Sequence, residues 1–341
     1  IFTIMGLTSF LIRRGINMII TVIGVIFIMF IITHVITPNP AVAWAGPHPV
    51  PSIVEAITKE YHLNDPVYVQ FYYFLLAVIQ GNWGEDPMYH QPIIQLIDVY
   101  FPRTLELTIA AMIVIIILGI LTGAIAAVHK NTPTDYTIRA FYLVTWSMPP
   151  FLVAMLLQLA IAYGLKLLPA TGLANPLLPP PKPITGMPTV DALIEGDWPY
   201  FWSSLRHLIL PATALALVAF GIISRLIRNS MIDIASKPFI RTAIMKGLRE
   251  RDVVFKHMLR NALIPAITVL ALTFASLLAG AVVIEDVFSW TGMGWLLTQA
   301  LYQQDYPLVM AGTFIVAIGV VIANLVADIL YAVVDPRIKL E

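Results

Sequence analysis

Nine basic residues gather in and beside one short stretch of the chain: Arg225, Arg228, Lys237, Arg241, Lys246, Arg249, Arg251, Lys256 and Arg260. The chemistry open to such a cluster is binding, and its punctuation suggests the form. Ser236 can cap a short helix, Pro238 suits its first turn and Gly247 suits its stop. A second helix is expected from Arg249-Glu250 into Leu263-Ile264-Pro265. In the first helix Phe239, Ile240, Ala243 and Ile244 group against Arg241, Lys246 and Arg249, the pattern of a helix that lies against something. That something is either anionic lipid or an apolar groove on a partner. Spacing alone leaves both open.

Catalytic chemistry is poorly provided for. The absence of cysteine removes disulfides, thiolate metal sites and cysteine nucleophiles together. Neither H-E-x-x-H nor G-x-S-x-G occurs, and no G-x-x-x-x-G-K-[ST] loop is present to cradle a nucleotide phosphate. An intramembrane enzyme is therefore disfavoured, and ATP and magnesium, if used, must be held by another chain. No metal and no cofactor are expected on this one. Polar residues at membrane depth are few: Ser147, Gln158, Asn324 and Asp328 could line a translocation path or serve as structural ties. For Asp328 the structural expectation is a pair with Arg225 or Arg228. An ion-coupled secondary transporter would call for more deep ionisable groups and an internal repeat of spans.

The elements that must position these residues are set by hydropathy. The 341 residues are 59% hydrophobic and 12% charged, with mean hydropathy +0.83. A soluble domain carries about 25% charged residues, so a soluble globular protein is excluded. A membrane helix needs about 20 mostly apolar residues. Six stretches qualify, at approximately 15–36, 105–128, 140–168, 208–227, 263–284 and 308–333. The expected fold is an all-α polytopic membrane protein. Met148-Pro149-Pro150 predicts a kink in the third span or a helix start near Ser147. The first span has a rival reading as a signal peptide, with Ala43-Trp44-Ala45 resembling a cleavage site. Its apolar run is longer than the usual signal core, so a retained span is expected. Gly119-x-x-x-Gly123 and residues 275–280 predict close helix packing.

Basic residues near span ends set the orientation. Fifteen of the twenty lysines and arginines fall on one set of connections, and five, Lys59, Arg103, Lys166, Lys182 and Arg206, on the other. Both termini are thus expected in the cytoplasm of a multi-pass plasma-membrane protein. The zero net charge offers no attraction to nucleic acid. It conceals a basic inner face and an acidic outer one. The organisation expected is a first segment and span (1–37), an extracellular insert (38–103), a core of five spans (104–336) with a cytoplasmic loop (229–262), and a short tail (337–341). Six of seven tryptophans fall on outer segments, where they anchor the interface or meet a partner. The segment after residue 285 could dip back as a short helix beyond Gly292 and Gly294.

Residues 239–268, FIRTAIMKGLRERDVVFKHMLRNALIPAIT, resemble the cytoplasmic EAA loop of permease subunits in ATP-binding-cassette importers. Arg241-Thr242-Ala243 stands where the name motif has Glu-Ala-Ala, a variant similar to the B-type subunit of the dipeptide/oligopeptide/nickel branch. Gly81-Asn82-Trp83-Gly84, Pro102-Arg103-Thr104-Leu105-Glu106-Leu107, Leu168-Pro169-Ala170-Thr171-Gly172, Val287-Phe288-Ser289-Trp290 and Asp335-Pro336-Arg337-Ile338 agree in order over most of the chain. Thr291 departs, since the family commonly has proline before the Gly-x-Gly at Gly292 and Gly294.

The resemblance implies a type I importer permease forming half of a pathway for peptides or similar oligomeric solutes, with oligosaccharides or a metal chelate as alternatives. It implies two ATPase subunits carrying ATP and magnesium, a second homologous permease, an extracellular solute-binding protein and the lipid bilayer as partners. It further implies an ATPase-coupling loop at Phe239, Arg241, Thr242, Ala243, Lys246, Gly247, Leu248, Arg251 and Pro265. There the apolar residues would dock, the glycine would allow close approach and the basic residues would pair with acids on the ATPase.

Overall fold

The computed structural model describes residues 2–36, 39–45 and 49–334; the motif beginning at Asp335 lies outside them. Helix α1 (Phe2–Phe30) continues in wider turns to Ile36. Three short helices follow, α2 (Pro40–Trp44), α3 (Pro51–Glu60) and α4 (Val67–Gln80). Then come α5 (Ile93–Val128), α6 (Pro133–Ser147), α7 (Pro150–Leu157, extended by Gln158–Gly164), α8 (Pro188–Glu195) and α9 (Trp198–Ala235). The short α10 (Pro238–Met245) precedes α11 (Glu250–Asp252), which runs through Val253–Leu259 into α12 (Arg260–Gly280). Helices α13 (Val282–Phe288), α14 (Met293–Tyr302) and α15 (Tyr306–Val334) complete the described chain.

Among the described residues, five helices are long and apolar enough to cross a membrane: Ile12–Phe30, Ile93–Val128, Trp198–Ala235, Glu250–Gly280 and Tyr306–Ile329. The sixth stretch is a pair, α6 and α7, bent by 111°. The bend falls where the sequence predicts it. Pro149 and Pro150 lack backbone donors, and each proline pushes the residue before it out of the helical region. Helix α5 begins at Ile93, well before the span expected from hydropathy, so residues 93–103 are helical and continuous with that span. The apolar stretch is only the membrane-depth portion of a longer helix.

Helix α9 is the most buried of the spans and packs against α5, α6, α7, α8 and α12. Its small residues, Ala212, Ala214, Ala216 and Ser224, are buried and let neighbouring backbones come close. The seam with α5 shows how close. A side-chain carbon on Gly119 would lie 2.8 Å from Ile223, and one on Gly123 would lie 2.6 Å from the Ser224 carbonyl oxygen. Beside them the Thr122 hydroxyl donates to Ser224 Oγ at 2.8 Å. The packing expected at 275–280 is only half present, since Ala275 is buried while Gly280 faces open space.

Among the described residues, two ion pairs join helices at the basic end. Arg228 of α9 grips Asp135 of α6 through two bonds, Nε to Oδ1 at 2.7 Å and Nη2 to Oδ2 at 2.6 Å. The carboxylate is fully buried and also accepts from Asn131 N. Asp328 of α15 instead meets Arg14 of α1 at 2.8 Å. The expected pairing with Arg225 or Arg228 is therefore wrong: Arg228 is committed to Asp135, and α15 lies beside α1.

At the opposite end α2, α3, α4 and the hairpin at 82–92 form the insert. Aromatic rings fasten it to α1: Phe71 lies edge-on to Phe27 and Phe30, and His34 meets Trp44 and Phe74. Trp44 and Trp290 are buried, while Trp198 and Trp202 are exposed. Packing thus takes part of what the sequence suggests as an interfacial belt.

Truncating one partner of a buried pair strands the other charge and typically costs about 3–5 kcal/mol. Arg228→Ala is expected to lower the thermal midpoint of the detergent-solubilised protein well below that of Arg14→Ala, whose pair is partly exposed. Equal midpoints for the two variants would contradict the structural weight placed on Asp135.

Candidate functional site

The short basic helix α10 is fixed from below and open above. Lys237 precedes it in extended conformation, with Pro238 at the first helical position. Ser236, expected as its cap, instead closes α9, its hydroxyl donating to the Asp233 carbonyl at 2.7 Å. Ile240 and Ala243 are buried in the main core with Met231, Val253 and Met258. Phe239, Ile244, Met245 and Leu248 are exposed, as are Arg241, Thr242, Lys246 and Arg251. The four apolar positions that look like one face in the sequence therefore divide into two. Ile240 and Ala243 hold the helix, and Phe239 and Ile244 lie on the open side beside Met245.

Gly247 closes the helix at φ +73°. Its N–H donates to the Ile244 carbonyl at 2.9 Å, and Leu248 N–H to the Ala243 carbonyl at 3.3 Å. A side-chain carbon at Gly247 would meet nothing within 4 Å. Within this chain, glycine is required by the left-handed backbone, not by lack of space. Thr242 Oγ1 bonds back to the Pro238 carbonyl at 3.1 Å, and Pro265 sits inside α12, past the loop.

The other candidate polar residues do not converge on one site. Gln158 Nε2 donates to the carbonyls of Ala170 and Val287, at 2.9 and 3.3 Å. Ser147 caps its own helix through the Leu143 carbonyl. Asn324 is half-buried on α15, and Asp328 holds Arg14.

At the insert end lies a clamp that sequence motifs mark without revealing its purpose. Glu285 is fully buried, and its Oε1 accepts from the Thr104 hydroxyl at 2.6 Å. Its Oε2 accepts from Trp295 N–H at 3.0 Å, and Gly294 N–H also bonds the carboxyl. Burial outweighs these donors and pushes the Glu285 carboxyl up to about 7. Thr104 Oγ1 in turn accepts from Met293 N–H at 2.7 Å. Next to it Arg103 donates to the Thr291 hydroxyl and carbonyl, and Trp290 Nε1 donates to the Arg103 carbonyl at 2.9 Å. The Gly-x-Gly is dictated by space here. A side-chain carbon at Gly292 would lie 2.6 Å from Glu285 Oε1, and one at Gly294 would collide with the Val282 backbone. Thr291, where the resembling family commonly has proline, supplies Arg103 with a hydroxyl acceptor that proline lacks.

Residues 119–340 match the family model for the binding-protein-dependent transport system inner membrane component, and residues 7–108 match the model of its N-terminal part. The chain belongs to this family. The permease is 39% identical over 331 residues to the probable D,D-dipeptide transport system permease protein of Escherichia coli (strain K12), covering 97% of each chain. It is 37% identical to the dipeptide transport system permease protein of Alkalihalophilus pseudofirmus, over 97% of this chain and 99% of that one. It is 33% identical to the oligopeptide transport system permease protein of Bacillus subtilis, over 98% and 100%. It has the type I ATP-binding-cassette permease fold and is a multi-pass inner-membrane subunit of a binding-protein-dependent importer.

Thr104→Val removes both a donor to Glu285 and the acceptor for Met293 N–H. Leaving buried partners unsatisfied costs about 1–3 kcal/mol each, so the permease should unfold at a clearly lower temperature, and Gly294→Ala should do the same through steric conflict. Wild-type thermal midpoints in both variants would contradict the clamp.

Proposed function

We propose that the permease forms half of the membrane pathway for a dipeptide or oligopeptide, and that the exposed face of α10 with the Gly247 turn is the surface through which an ATPase subunit drives it. One observation carries the second statement. Phe239, Ile244 and Met245 of α10, with Leu248 just past its turn, are exposed among basic residues, while the inner side of the helix is locked into the core. Apolar groups ringed by charge are the composition of a protein docking patch. The chain has no phosphate-cradling loop, so ATP and magnesium belong to partner subunits. A lipid surface would also accept a basic amphipathic helix. Against that reading, α10 turns Ile240 and Ala243 into its own protein and offers its Phe239–Met245 side at the tip of the loop.

In this reading both termini lie in the cytoplasm, which the excess of basic residues on this side supports. The complete importer in this reading has two ATPase subunits, a second related permease and an extracellular binding protein. The insert is the place where that binding protein delivers solute. Removing residues 49–80 should abolish binding-protein-stimulated transport while the spans still insert; undiminished stimulation would refute that role.

For the docking face, Ile244→Asp and Phe239→Ala are expected to lower binding-protein-stimulated ATPase and transport together, by roughly tenfold or more. Membrane insertion should be unchanged, because both side chains point away from the core. Gly247→Ala forces a Cβ into left-handed conformation at about 1–2 kcal/mol, and Gly247→Asn should be tolerated better. Full activity in Ile244→Asp would overturn the assignment.

A further inference from the structure

We propose that Asp86 and Asp305 form a proton-binding site that latches the hairpin at 82–92 to the start of α15, and that loss of the shared proton releases the hairpin.

The two aspartates come from distant parts of the chain and are both 1% exposed. Each spends one oxygen on its own backbone. Asp86 Oδ1 accepts from Met88 N–H at 2.8 Å and Tyr89 N–H at 2.7 Å, tying the hairpin turn. Asp305 Oδ1 accepts from Leu308 N–H at 3.1 Å, capping α15. The remaining oxygen of each, Oδ2, is buried and finds no hydrogen-bond donor among the described residues. The two buried side chains bear directly on one another, Asp86 acting on the Asp305 carboxyl. An ionised pair in that position would set two desolvated negative charges face to face. With one proton between them, the O–H of one carboxyl donates to the carboxylate of the other and both orphan oxygens are satisfied.

The surroundings favour the protonated form. Burial and Asp86 together hold Asp305 well above the usual aspartate range. Asp86 raises the Asp305 carboxyl and the Leu308 N–H opposes it. Tyr89 on the hairpin bears on both carboxyls and is raised by burial, by Tyr100 of α5 and by the two aspartates. Arg103 lies over the Tyr100 ring, 5.1 Å from its centroid, and is bonded to Thr291. Glu85 and His90 flank Asp86 at exposed positions, Tyr306 follows Asp305, and Glu285 is occupied by Thr104 and Trp295. The junction also carries apolar contact: Trp83 of the hairpin meets Phe314 of α15 at 5.1 Å, over a core that includes Ile93, Met293 and Leu308.

The sign of the pH effect follows. The docked state binds a proton that the separated carboxyls lose near the ordinary aspartate pKa. Docking is therefore fully favoured at low pH and weakens as pH rises. The loss is complete once the docked pair itself is ionised. The hairpin also borders a cavity of about 1250 Å³ lined by Trp44, Tyr61, Tyr73 and Trp83, so its release would open that space.

The chain has no cysteine of its own, so spin labels at Met88→Cys and Tyr302→Cys, both exposed, report hairpin position without background. In the full-length permease in lipid nanodiscs, a single short distance is expected at about pH 5. A longer distance should appear on raising the pH, its ratio to the short one growing by up to about tenfold per pH unit while the pair titrates. Asp305→Asn keeps the helix cap, donates to Asp86 and carries no titrating proton, so it should hold the short distance at every pH. Asp86→Asn serves the same purpose if the first variant folds poorly. A pH-independent distance in the parent protein, or the parent's response in a folded asparagine variant, would overturn the proposal.

Discussion

A polar group buried in a membrane protein must find its partner inside the protein, because hydrocarbon offers none. In the permease this constraint gathers charge at the two ends of the bundle and leaves the middle to small and aliphatic residues. Arg228 and Asp135 bind α9 to α6 at one end. Glu285, Thr104 and the backbone at 293–295 bind α13, α5 and α14 at the other. Between them α5 and α9 meet at glycines with almost no space to spare. These ties and close contacts couple each helix to its neighbours.

The position of α10 acquires meaning from that coupling. It is joined to α9 through Ser236 and Lys237, and through the Gly247 turn to the continuous helix that becomes α12. Its inner residues share a core with Met231 of α9 and with Val253 and Met258 ahead of α12. A push on Ile244 or Met245 is therefore delivered to two membrane helices at once. A flexible loop of the same composition would absorb it. The glycine supplies the left-handed turn that joins α10 closely to the next helix.

Much of this was legible in residue types. Hydropathy located the spans because lipid tolerates little else, and Met148-Pro149-Pro150 located the 111° bend because proline withholds donors. Pro238 and Gly247 marked the ends of α10. Other features depend on three-dimensional proximity. The start of α5 at Ile93 was hidden because helix outside the membrane need not be apolar. The partner of Asp328 was misread because α1 and α15 are neighbours only in space. Ile240 and Ile244 look alike in sequence, and only the packed helix shows that one is an anchor and the other a contact. Asp86 and Asp305 read as ordinary solvated acids; nothing in their separate neighbourhoods signals that they meet.

The central claim is that α10 presents Ile244 and Met245 to an ATPase subunit. It is tested most directly by cysteine cross-linking in the assembled importer, since the chain contributes no competing thiols. Ile244→Cys should cross-link to the ATPase subunit through a short bifunctional reagent, with a yield that changes when ATP is added. Leu177→Cys, also exposed but at the insert end, should give no such product. Absence of an ATPase cross-link at Ile244 and Met245, with a lipid-quenched environment at both positions, would contradict the account and assign this helix to the membrane surface.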